Sequence, residues 1–133
     1  MAKREIISTD AGPRTGLPYS QAVRCGDFVF VAGQVAIDPA TGQVVEGGVK
    51  AQTRRVLDNV QAILGAAGTS LEHAVETTCF LRDVADFPAF NEAYRGYFPK
   101  DPPARTTVQA GLPREGLLVE IRVVAAVPDG GRR

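Results

Sequence analysis

At 133 residues, with 44% hydrophobic and 23% charged side chains, the chain suits one domain with a real core and excludes a disordered protein. Lys+Arg and Asp+Glu number 15 each, so no net positive field draws it to RNA, DNA or an anionic membrane. The opening MAKREIISTD lacks a signal-peptide core and no later run reaches membrane-spanning length, so a cytoplasmic protein is expected. Cys25 and Cys79 are too few and too far apart for a disulfide framework or a zinc site. His73 is the only histidine, which excludes a two-histidine metal site within one chain and leaves a Ser/His/Asp triad without context.

In chain order, Glu5 to Ser8 is short and β-prone, an expected edge strand. Asp10 to Tyr19 holds Gly12, Pro13, Gly16 and Pro18 and reads as a loop. Ala22 to Cys25 and Phe28 to Ile37 flank Gly26-Asp27, the signature of a tight hairpin. Gly33 interrupts the second of these strands. An isolated strand glycine marks a bulge or a place where a ligand or another element meets the backbone.

Val49 to Ala67 is the clearest helix. Val56, Leu57, Val60, Ile63 and Leu64 follow the spacing of one apolar face, and Gly68 supplies the stop. Ala74 to Arg82 alternates as a strand, with Cys79 on its more apolar side. A buried structural cysteine is expected there, its thiol pKa raised by acidic neighbours. Asp86 is expected to cap a second helix, with Pro88 in its first turn, running to Phe98. Asn91 lies on that helix, pointing into a pocket or bonding nearby backbone.

Ala104 to Ala110 and Leu117 to Val127 are the last two strands. The second, LLVEIRVVAAV, is almost continuously apolar and is expected to be covered on both faces. Six strands and two helices make an α+β domain, with both helices covering one face of a single mixed sheet. A second copy of the chain is the expected cover for the other face. The core is expected over residues 5–127, and 128–133 is a short flexible tail.

In PPARTTVQ, two prolines fix an extended entry, so Arg105 starts a strand on a backbone with little freedom. Such an arginine can present a planar fork to a carboxylate. A hairpin between the last two strands, across a loop of about six residues, would set Arg105, Thr107, Glu120 and Arg122 on one face. The site would then pair a fixed cation with a carboxylate able to hold or activate water. A structural Arg–Glu ion pair is the other reading of the same residues.

Over Glu5 to Val127 the chain resembles the Rid family, the reactive intermediate deaminases also called YjgF or L-PSP. The resemblance rests on LPYSQAV, FVFVAGQVAIDPATGQVV, LDNVQAILGAAG, VETTCFLRDVADFPAFNEAYRGYF and PPARTTVQAGLPREGLLVEI, in that order and spacing. It implies a chorismate-mutase-like fold and a homotrimer with ligand clefts between subunits. It implies that Arg105 grips a substrate carboxylate and Glu120 positions the attacking water. Tyr19 would line the pocket, Gly33 supply a backbone contact and Asn91 polar support. Two positions depart from the pattern. Ala32 stands where many deaminases have serine or threonine, and Thr107 where many have cysteine.

The activity implied is hydrolysis of 2-imino acids, such as the tautomer of 2-aminoacrylate, to 2-keto acids and ammonia (a 2-iminobutanoate/2-iminopropanoate deaminase). No metal or other cofactor is needed, because the imine is already electrophilic. A non-catalytic binding or regulatory protein for small carboxylates or keto acids is the alternative that Ala32 leaves open. The ribonuclease role attached to some relatives fits poorly with zero net charge.

Overall fold

A computed structural model describes residues 3–128. Strand β1 (Arg4–Ile7) is followed by β2 (Ala22–Cys25) and β3 (Phe28–Val35), with helix α1 at Gly48–Ala66. Then come β4 (Ala74–Leu81), α2 (Phe87–Arg95), β5 (Ala104–Gln109) and β6 (Val119–Ala126). The expected α+β domain is present: one mixed six-stranded sheet in the order β1-β2-β3-β6-β4-β5, with two helices. The tail expected over 128–133 lies outside the described residues beyond Pro128.

The β2–β3 hairpin forms where Gly26-Asp27 predicts it. Cys25 pairs with Phe28, and Gly26 takes a φ of 63° that the tight turn requires. The apolar stripe of α1 also forms as read, with Val56, Leu57, Val60, Ile63 and Leu64 fully buried. They pack on Val29, Val31, Ile121 and Val123 from β3 and β6. Burying each such side chain contributes roughly 1.5–3 kcal/mol.

Helix α2 departs in two respects. It ends at Arg95 instead of Phe98, and Asp86 makes no side-chain cap. The capping carboxylate is Asp83, which accepts from the Ala85 amide at the head of a short 3-10 turn, Val84–Asp86. That turn places Asp86 in a helical conformation, so its side chain cannot reach back to cap.

The expected β5–β6 hairpin does not form. β4 stands between the two strands, pairing with β5 in parallel and with β6 antiparallel. The chain crosses from β4 through α2 to β5, the connection that a parallel pair needs. Composition explains the order. β6 carries the most apolar run and takes a central place, while the polar ARTTVQ of β5 goes to the edge. The face of β6 away from the helices is only partly covered: Val124 is buried, Glu120 half-buried and Arg122 exposed. Phe28, Phe30 and Val108 are exposed on strands of the same sheet, at 43%, 40% and 44%.

Candidate functional site

The insertion of β4 decides where the site residues lie. Arg105 is level with Thr77 and Thr107 with Cys79. Thr77 and Cys79 are buried, and the Thr77 hydroxyl meets the Tyr94 hydroxyl of α2 at 2.8 Å. Side chains at paired positions project to the same side of a sheet, so Arg105 and Thr107 are on the helix-covered face. Glu120 is level with Phe80 on one side and Val35 on the other, one residue out of step with Cys79. It therefore projects from the opposite face, as does Arg122, level with Thr78. The expectation that one chain sets Arg105 and Glu120 on one face is corrected. The intervening strand has its own alternation, and register across two ladders could not be read from β5 and β6 alone.

Arg105 is held by aromatic rings. Its guanidinium carbon lies 4.8 Å from the Tyr94 ring centroid, 5.4 Å from Phe90 and 5.6 Å from Phe87. Cation–π attraction at this range is worth about 0.5–2 kcal/mol. Among the described residues no ion pair includes Arg105, so a structural Arg105–Glu120 pair is absent. Arg122 instead faces Glu76 at 3.9 Å, both largely exposed. Arg105 borders a cleft of about 340 Å³ between α2 and the Pro102-Pro103 segment, with Asn91, Tyr94 and Arg95 on its helical wall. The Asn91 Oδ1 is buried without a hydrogen-bond partner, so the expected bond to backbone does not form at that atom.

The Thr107 hydroxyl is also buried and unpartnered. Beside it, burial pushes the Cys79 thiol up to about 11, opposed by the Thr77 hydrogen bond and the Arg105 charge. The acidic neighbours expected to raise that pKa are not the cause. The charge that reaches the thiol is a cation, and desolvation outweighs it.

On the other face, Gly33 sits where the β3–β6 pairing shifts between Val31 and Gln34. A Cβ on Gly33 would run into the Glu120 carboxylate. Both meanings of a strand glycine hold here: a bulge, and a close approach by a side chain. Burial raises the Glu120 pKa above the ordinary carboxylate value. Tyr19 is 55% exposed and takes a hydrogen bond from Thr15 at 3.3 Å. It lines a second cleft of about 460 Å³ with Arg14, Val35, Asp38 and Arg114. Val35, on the wall of this cleft, is the register partner of Glu120.

The expected site residues thus fall into two groups on opposite faces of the sheet. One holds Arg105, Asn91 and Thr107, and the other holds Tyr19, Gly33 and Glu120. The aromatic cradle and Arg95 were not singled out from sequence. Their signal was present: Phe87, Asn91 and Arg95 recur every four residues, and Phe90 and Tyr94 follow the same period.

Residues 9–127 match the model of the family described as Endoribonuclease L-PSP. A RutC family protein of Pyrococcus horikoshii is 45% identical over 122 residues, which is 92% of this chain and 97% of that protein. The mouse 2-iminobutanoate/2-iminopropanoate deaminase is 44% identical over 123 residues, covering 92% and 90% of the two chains. Among solved structures, Escherichia coli TdcF with bound serine superposes with a TM-score of 0.87 at 35% identity. That match covers 93% of this chain and 99% of the other.

Proposed function

Given that the chain belongs to the L-PSP family, the group that includes the RidA and YjgF proteins, we propose that it hydrolyses 2-imino acids. The products are 2-keto acids and ammonia. The active assembly is a homotrimer in which the β5 edge of one protomer meets the open sheet face of the next. Each cleft then joins Arg105 from one chain to Glu120 and Tyr19 from its neighbour. The observation that supports this reading is the placement of Arg105 and Glu120 on opposite faces of one sheet, where one chain alone cannot bring them together. Exposed Phe28, Phe30 and Val108 favour a covered sheet face. The mouse relative named for imine hydrolysis favours the reaction.

Arg105 binds the substrate carboxylate in a planar fork, its guanidinium held close to the Phe87, Phe90 and Tyr94 rings. This fixes the imine carbon relative to water, so positioning contributes much of the rate. Glu120 takes a proton from water as the oxygen bonds to that carbon, and the C=N electron pair moves onto the nitrogen, which takes a proton from solvent. The resulting carbinolamine breaks its C–N bond when Glu120 returns a proton to nitrogen. Ammonia leaves as the C=O bond forms, and the hydroxyl proton returns to solvent. A carboxyl whose pKa is raised by burial is suited to this double role near neutral pH.

The test generates 2-aminoacrylate with a serine dehydratase and follows pyruvate formation. The protein is expected to accelerate it, and Arg105→Ala to abolish the acceleration. No acceleration by the wild-type chain, or full acceleration by the variant, overturns the proposal.

A second reading is a carboxylate-binding protein without turnover. It is favoured by the serine in E. coli TdcF, a ligand that carries a carboxylate and no imine. Binding lost with Arg105→Ala, together with no turnover of any imine, decides for it.

A further inference from the structure

The cleft beside Arg105 contains a second arginine. Asn91 and Arg95 are one turn apart on α2 and line the same wall, facing Pro102, Pro103 and Arg105. No acidic side chain lines this cleft. Among the described residues neither Arg95 nor Arg105 belongs to an ion pair. Two guanidiniums bordering one cleft without a counter-charge raise its positive potential and invite an anion that can meet both. On the same wall, the Asn91 Oδ1 is buried without a hydrogen-bond partner.

We propose that Arg95 is a specificity-determining residue, which adapts this site to 2-imino and 2-oxo acids carrying a second anionic group. Arg105 takes the carboxylate next to the reacting carbon, and Arg95 takes the distal one. An arginine suits the distal position because its fork can meet a carboxylate through two bonds. The volume of about 340 Å³ leaves room for a chain longer than that of pyruvate.

This inference rests on the reading of Arg105 as the carboxylate anchor, and the test separates the two. Calorimetry compares 2-oxobutanoate with the dicarboxylate 2-oxoglutarate on the intact protein and on Arg95→Ala, Arg95→Lys and Arg105→Ala. The wild type is expected to bind the dicarboxylate about five- to tenfold more tightly, an advantage that shrinks as salt rises. Arg95→Ala should bring the ratio close to one, acting far more on the dicarboxylate than on the monocarboxylate. Arg95→Lys should recover part of the ratio, and Arg105→Ala should lose both ligands.

Arg95 also occupies the last turn of α2, where a cation favours the helix C-terminus. If that were its whole role, Arg95→Ala would lower Tm and leave the ligand ratio intact, and the proposal would fall. It also falls if the wild type binds 2-oxobutanoate as tightly as 2-oxoglutarate, and in that case Arg105 keeps its role. If the wild type binds neither acid, or Arg105→Ala binds both normally, the Arg105 reading fails and takes this inference with it.

Discussion

Gly33 and Glu120 fit together so closely that position 33 has no room for a Cβ beside the carboxylate. The glycine serves a side chain from the neighbouring strand and is not there for a positive φ. Gly33→Ala is therefore expected to displace Glu120 and slow turnover at least about tenfold, a barrier change near 1.4 kcal/mol. Steady-state kinetics on 2-aminoacrylate would show it mainly in kcat, since Arg105 is untouched. Unchanged kcat would mean that the carboxylate position does not matter.

Glu120 gives two pH signatures. Its folded pKa is raised by burial, so ionisation destabilises the fold as pH climbs through that value. The stability it contributes is complete below the unfolded carboxylate pKa of about 4.3 and is lost above the folded one. Glu120→Gln should thus melt higher than wild type near neutral pH, with the difference vanishing toward pH ~4. Conversely, kcat/KM of the wild type should fall on the acid side, at a pH above that of an unperturbed glutamate. Thermal melts and rate profiles over the same pH range check both.

The Arg105 cradle can be dissected by ring and by hydroxyl. Tyr94→Phe keeps the ring and removes the 2.8 Å bond to Thr77, at a stability cost of about 1 kcal/mol. Tyr94→Leu removes the face under the guanidinium and should raise KM roughly 2- to 30-fold, the range of the cation–π energy. If the two variants have equal KM values, the ring does not hold the arginine.

Asn59 ties α1 to the end of β3 and the segment after it, beneath the cleft that Val35 and Ile37 line. Its Nδ2 donates to the Ile37 carbonyl at 2.9 Å and the Val35 carbonyl at 3.3 Å, and the side chain is fully buried. Asn59→Ala leaves these acceptors without that donor and should cost about 2 kcal/mol, or roughly 8 °C in Tm. A melt within 1–2 °C of wild type (under about 0.5 kcal/mol) would contradict it.

The two cysteines should be kinetically distinct. Cys79 is fully buried with its thiol pushed up to about 11, whereas Cys25 is half-buried at the end of β2. A thiol reagent at neutral pH is expected to modify at most one site per native chain and a second only on unfolding. Fast modification of Cys79 in the native protein would contradict the burial of its strand.

What could be read from the residues was local. The α1 stripe, the Gly26-Asp27 hairpin, the bulge at Gly33 and the extended entry to Arg105 each depend on neighbours within a few positions. Propensity and periodicity act over that range. The candidate residues could also be named, because the order of motifs carries the family resemblance. Which of them meet was decided by the tertiary structure. β6 enters the sheet between β3 and β4, sending β5 to the edge and turning Arg105 and Glu120 to opposite faces. The gain from burying VEIRVVAA at the centre outweighs the convenience of a short hairpin, and strand order is settled by that global competition for burial. No window of neighbouring residues contains it.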